Sequence, residues 1–271
     1  MDPIAFQLGP FTIRWYGVFA ALGFLAGFAL LHYRGKHRPI GGDRAADLAF
    51  LAIIGGLLGA RILYVLQNWS FYSSRPLEIV RIDHGGLIFY GGFFGAALLV
   101  AVGSRLKGCE LRDVADLFAP VLPLGHAFGR VGCFLNGCCF GRPWRGPGSV
   151  RYPAGSDVMA VQEELGVIEP AALACEPVFP VQLVAAAGNA LICLLLLRME
   201  GRLRHKGQLF ALYVIGYAAF RFGTEFLRGD YLDRTWGLTF AQLFCIVLLP
   251  AGLIAFYLLA RYDAARQQAG S

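Results

Sequence analysis

Seven long apolar runs divide the chain, at about 15–33, 47–66, 86–103, 114–131, 180–197, 208–227 and 238–260. A helix needs roughly 20 apolar residues to cross the hydrocarbon core of a bilayer, so each run has the length of a span. The fourth holds Pro120 and Pro123 and the third is rich in glycine, which makes them the least regular of the set. Most connecting segments are short. The exception is 142–178, with Pro143, Pro147, Pro153 and Pro177 and the acids Asp157, Glu163, Glu164, Glu169 and Glu176. It is expected to form an extracytoplasmic cap inserted into a single membrane domain of residues 1–271. The pattern predicts an all-α, polytopic membrane protein with seven transmembrane helices.

Composition agrees. Apolar residues make up 57% of the chain and charged residues 15%, against about 25% charged in a soluble domain. Mean hydropathy is +0.57. These values exclude a disordered chain and argue against a soluble enzyme. The net charge is +6, but its distribution suits membrane orientation better than nucleic acid. Arg34, Lys36, Arg38 and Arg44 lie in one loop, and Arg105, Lys107 and Arg112 in another. Arg198, Arg202, Arg204 and Lys206 lie in a third, and Arg261 and Arg266 in the tail. These alternate segments carry 13 of the 24 basic residues. Basic loops stay cytoplasmic, which predicts an outside N-terminus and a cytoplasmic C-terminus.

That orientation sorts the polar residues within the runs. Arg61, Arg130, Arg221 and Glu225 come late in outward-running spans, and Tyr16, Tyr90, Gln182 and Gln242 come early in inward-running ones. All fall in the outer half of the membrane. Each intramembrane charge costs about 2.5–3.5 kcal/mol on insertion scales, so such residues mark function by default. The plainer alternative is arginines that snorkel, or that pair with Glu225 and Asp116. Tyr217, Arg221, Glu225 and Arg228 are spaced to form one helical stripe, and His126 and Arg130 share another face. A planar guanidinium suits a phosphate because it offers paired donors. The pairs Gly85-Gly86 and Gly91-Gly92 suit close helix packing or a ligand-facing backbone beside Tyr90. Cys133, Cys138 and Cys139 read C-x₄-C-C, which is no zinc-ribbon spacing, so no metal site is expected. Buried apolar thiols are the default for Cys133, Cys193 and Cys245. A disulfide involving Cys138 or Cys139, for instance with Cys175, is left open.

These residues together resemble the bacterial prolipoprotein diacylglyceryl transferases, nearly from end to end. The run Gly129-Arg130-Val131-Gly132-Cys133-Phe134-Leu135-Asn136-Gly137, followed by Gly141, carries the resemblance with Tyr217…Phe220-Arg221…Glu225-Phe226…Arg228. Supporting matches are Arg14-Trp15-Tyr16-Gly17, Gly59-Ala60-Arg61, Pro180-Val181-Gln182 and Gln242. The resemblance implies a multi-pass enzyme of the bacterial cytoplasmic (inner) membrane. It would transfer the diacylglyceryl group of phosphatidylglycerol to the lipobox cysteine of a preprolipoprotein signal peptide, releasing glycerol 1-phosphate without metal or cofactor. Arg130 and Arg221 match the essential arginines. Tyr16, Asn136, Gly141, Tyr217, Glu225 and Arg228 match further signature positions, and Arg61 is expected to join them at the substrate. Asp116 also matches and is expected to be structural.

The chain departs from the pattern where Tyr90 replaces a histidine, where Cys133 replaces an asparagine and where Cys138 replaces a glutamate. A thiol near pKa 8.5 needs a base. His126 is favoured, one turn from Arg130, with Tyr90 and His84 as the other candidates. The departures leave two rival readings, a retargeted or inactive paralogue and a membrane transporter or binder of an anionic lipid-like substrate.

Overall fold

A computed structural model describes residues 3–9, 11–81, 85–169, 172–230 and 235–269. His84 lies outside them. A short antiparallel ribbon, β1 (Ile4–Leu8) and β2 (Phe11–Arg14), leads into the helices. These are α1 (Trp15–Lys36), α2 (Gly42–Gln67), the single turn α3 (Trp69–Tyr72), α4 (Phe89–Leu106) and α5 (Leu111–Phe118). Then come α6 (Val121–Asn136), α7 (Asp157–Glu164), α8 (Val181–Met199), α9 (Gln208–Glu225) and α10 (Phe240–Ala269).

Six helical segments are long and apolar enough to cross a membrane: Trp15–Lys36, Gly42–Gln67, Phe89–Leu106, Leu111–Asn136, Val181–Arg202 and Phe240–Tyr262. α9 is a further helix of 18 residues, made less apolar by Gln208, Arg221 and Glu225. The protein is thus an all-α, polytopic membrane protein. Its surface agrees: only 11% of the most apolar window, in Phe240–Tyr262, is buried inside the protein. The remainder is apolar surface suited to lipid.

The fourth run resolves into α5 and α6, broken at Ala119-Pro120. Pro120 caps α6 and Pro123 falls in its first turn, where the missing N–H breaks no helical bond. Pro250 sits within α10.

The chain packs as two units, one of residues 28–117 and one of residues 1–27 with 118–271. In the first, α2 packs on α4 through facing glycines. A Cβ on Gly55 or Gly59 would strike the carbonyl oxygens of Gly95 or Gly91, and the reverse holds. Small residues let the backbones approach, as in membrane helix pairs. Of the two readings of the Gly91-Gly92 pair, close packing describes Gly91. Also in this unit, Arg34 is buried and donates to the carbonyls of Leu117 and Asp116.

In the second unit α6 packs on α8, α8 on α9 and α9 on α10. Ala119, Leu196, Leu209 and Tyr213 form one buried cluster there. The segment after α6 folds over its own small core of Phe140, Tyr152, Val158, Cys175 and Val178. Backbone bridges pair Val150 and Pro143 with Val178 and Gly141 with Arg228. Ser156 caps α7 by accepting from Met159 N. Arg142 N donates to Leu227 O at 2.9 Å, which ties the start of the 142–178 segment to the stretch after α9.

Candidate active site

A narrow cleft between α6, α8 and α9 brings together six polar residues of the second unit. It is lined by His126, Arg130, Ala185, Asn189, Tyr217, Phe220, Arg221 and Thr224. Its interior is tight, with room for about one water or one phosphate oxygen.

Helical spacing explains the convergence. His126 and Arg130 are four apart on α6, as are Tyr217 and Arg221 on α9, so each pair lies on one face. The His126 and Tyr217 rings meet across the helices, with centroids 5.2 Å apart, and Tyr217 also packs on Tyr213 at 5.7 Å. The charges of both arginines reach the His126 ring.

The two guanidiniums differ in their company. Arg221 Nη2 pairs with Glu225 Oε2 at 2.8 Å, and the Glu225 side chain is wholly buried. The second Glu225 oxygen, Oε1, accepts from Thr239 Oγ1 at 3.0 Å. Thr239 is the N-cap of α10 in a reciprocal capping box: Gln242 N donates to Thr239 Oγ1 at 3.3 Å, and Thr239 N donates to Gln242 Oε1 at 3.0 Å. The start of α10 thus fixes Glu225, and Glu225 fixes Arg221. Arg130, by contrast, is half-buried and has no hydrogen bond or ion pair among the described residues.

Two cleft groups are similarly unmet among the described residues, the buried Nδ1 of His126 and Oδ1 of Asn189. Asn189 is 3% exposed, and its Nδ2 donates to Ala185 O at 2.8 Å. Sequence reasoning passed over Asn189 and Thr224. A lone asparagine in the apolar run 180–197 was the available signal for the first. A buried polar atom without a partner loses about 1–3 kcal/mol, so such atoms point to a ligand.

The other expected residues are distributed around this cleft. Tyr16 opens α1 beside Gly132 of α6, within electrostatic reach of Arg130. Asn136 ends α6. Gly141 is buried in the bridge to Arg228 and donates to Phe179 O at 3.1 Å. Arg228 lies beyond the last helical residue of α9, so the expected stripe stops at Glu225. Its guanidinium grips Asp230 through Nε and Nη2.

Arg61 and Tyr90 belong to the unit of residues 28–117. Tyr90 is in the first turn of α4 and is 39% exposed. The expectation that Arg61 binds substrate meets a physical obstacle. Its five N–H groups donate to the carbonyls of Ile79, Gly85, Gly86, Glu78 and Arg81 at 2.6–3.2 Å. The rings of Tyr64 and Tyr72 flank it at 5.8 and 5.3 Å. A guanidinium has five donors, and none remains for a phosphate.

Beyond the end of α6, Gly137 takes a left-handed C-cap and Cys139 also has a positive φ of 57°. This turn brings the thiols of Cys133, Cys138 and Cys139 to within 4.8 Å of one another. Hydrogen bonds from the other two thiols, then the Arg228 and Arg130 charges, hold the Cys139 thiol well below the ordinary range.

A family model described as prolipoprotein diacylglyceryl transferase matches residues 3–258. The chain belongs to the prolipoprotein diacylglyceryl transferase family. It is 34% identical over 269 residues to the phosphatidylglycerol–prolipoprotein diacylglyceryl transferase of Bordetella avium, covering 96% of this chain and 95% of that protein. It is 35% identical over 258 residues to the enzyme of that name from Bacillus licheniformis, covering 94% and 92%. The transferase of Nitrosomonas europaea is 31% identical over 277 residues, covering 99% and 93%. Arg130 and Arg221 are the two arginines that line the cleft.

Proposed function

We propose that this membrane transferase moves the diacylglyceryl group of phosphatidylglycerol onto the lipobox cysteine thiol of a preprolipoprotein and releases glycerol 1-phosphate. The observation that carries the reading is the cleft, where a half-buried Arg130, without a partner among the described residues, shares the lining with an Arg221 paired to Glu225.

The chemistry follows from that pair. The acceptor sulfur attacks a glycerol carbon, the carbon–oxygen bond to the phosphate breaks, and the phosphate leaves with the bonding electrons. Charge grows on the leaving oxygens, and preset cations there lower the barrier without reorganising. Arg130 supplies unengaged donors and Arg221 a fixed one. The thiol proton goes to a base, which we assign to His126, because its ring packs on Tyr217 within electrostatic reach of both arginines and its Nδ1 accepts or donates to nothing else described. Tyr90 is the alternative base. Tyr16, Asn136, Gly141 and Arg228 shape the approach, and Arg61 acts as a structural brace.

The enzyme is a multi-pass protein of the bacterial inner membrane. The proposed orientation has the N-terminus outside, the cap of residues 142–178 outside and the C-terminus in the cytoplasm. Reporter fusions near residues 38, 108 and 203 should read cytoplasmic, and fusions within 145–165 extracytoplasmic. A cytoplasmic cap would refute this orientation. Activity is tested by complementing a strain depleted of its transferase and weighing a reporter lipoprotein. A diacylglyceryl mass on the lipobox cysteine is expected; an unmodified reporter, with the protein inserted, removes the assignment.

A further inference from the structure

The C-x₄-C-C spacing argued against a metal, because a linear reading compares it with zinc-ribbon patterns. The fold changes that comparison. Cys133 projects from the last turn of α6, and the chain then turns sharply through Gly137 and Cys139. The result is three sulfurs mutually within 4.8 Å. All three cysteines are free. Three thiolates on one zinc-sized ion sit about 2.3 Å from it, which places the sulfurs about 3.8 Å apart. Side-chain rotation of an ångström or less reaches that geometry.

The surroundings are built rather than accidental. Cys139 takes a φ of 57°, a backbone region that non-glycine residues rarely adopt, and its thiol lies within 4.8 Å of the other two. The loop is pinned from outside: Gln182 Nε2 donates to Cys138 O at 2.9 Å, and Tyr152 OH donates to Phe134 O at 3.0 Å. Burial pushes the Tyr152 phenol up to about 12, so it keeps that proton at any ordinary pH. Cys138 Sγ donates to Cys133 O at 3.8 Å. Outer partners of this kind orient the ligands of a metal. Charge also balances. Three thiolates and one divalent ion carry a net single negative charge, and the Arg130 and Arg228 guanidiniums act on the cluster.

Two departures from the family signature, Cys133 and Cys138, fall in this cluster. We infer that Cys133, Cys138 and Cys139 form a binding site for one thiophilic divalent cation of the zinc type. Binding replaces the thiol protons by the metal, three thiols and one Zn²⁺ giving one tris-thiolate complex and three protons released to solvent. The fourth coordination position is left for solvent. The ion closes a ring between the end of α6 and the segment whose Gly141 pairs with Arg228. That ties down the loop following Arg130.

The test uses the full-length protein, purified in detergent with reductant and loaded with Zn²⁺ or Co²⁺. One metal per chain is expected after desalting, and Co²⁺ should give the intense near-ultraviolet bands of thiolate ligation. Cys139→Ser should weaken Zn²⁺ binding at least about 100-fold, more than the loss of an outer-shell partner costs. Cys109→Ser, in the other unit, should change nothing. Metal at the level of a Cys133→Ser/Cys138→Ser/Cys139→Ser protein, or Co²⁺ bound without thiolate bands, overturns the inference. So does a stable disulfide among the three under the same reductant, seen as a mass loss of two hydrogens. None of these readouts depends on transfer activity, so the site can fail while the proposed function stands, and the reverse.

Discussion

Arg61 and Arg130 were expected to do the same work, and their surroundings separate them. Arg61, in the unit of residues 28–117, is 6% exposed and gives every donor to a backbone carbonyl. Arg34 of the same unit also donates to carbonyls. In the cleft of the other unit, Arg130 has no hydrogen bond or ion pair among the described residues, and Arg221 pairs with the Glu225 carboxylate. Depth in the membrane is therefore a poor guide to the role of an arginine. What distinguishes a brace from a ligand clamp is how many N–H groups the fold itself consumes.

Substitutions at the clamp give the largest effects. Arg130→Lys and Arg221→Lys should each lower glycerol 1-phosphate release by more than about 10³-fold, since a single lost donor already costs about 10²–10³. An ammonium restores the charge but not the planar fork. Near-normal release from Arg221→Lys would show that the fork is unnecessary. Next comes the base. His126→Gln should cost about 10²–10⁴-fold, and Tyr90→Phe should cost less. A silent His126→Gln beside an inactive Tyr90→Phe would exchange the two roles.

Smaller effects sharpen the contrast from the support side. Glu225→Leu removes one partner of a buried pair and should destabilise the protein by about 3–5 kcal/mol, read as a lower melting temperature. Thr239→Val breaks the cap of α10 and should cost about 0.5–2 kcal/mol. It should also loosen Arg221, so its KM for phosphatidylglycerol should rise. Thr239→Ser should restore both, which distinguishes a positioning role from simple packing.

The all-α membrane character could be read from the apolar runs, because lipid imposes a length and a composition on every span. The i to i+4 pairing of Arg221 with Glu225 was also readable, because it lies within one helix. The capping box Thr239-Phe240-Ala241-Gln242 was present in the residue types but not singled out. The contacts that decide roles were not readable. Arg61 is occupied by carbonyls of an irregular segment, including a 3-10 turn over Pro76–Val80, and no periodicity encodes where those point. Asn189 becomes a cleft residue only when α8 is laid on α6. Cys133, Cys138 and Cys139 meet because of a left-handed turn that their spacing does not reveal.

The contrast between brace and clamp is tested most directly by Arg61→Ala and Arg130→Ala measured side by side. Both are purified in the same detergent, and glycerol 1-phosphate release is divided by the amount of folded protein. Arg130→Ala should keep its melting temperature and lose its rate, while Arg61→Ala should melt earlier, give less protein and turn over near the wild-type rate per folded molecule. An Arg61→Ala protein that folds normally and is inactive, beside an Arg130→Ala protein that remains active, would contradict this contrast.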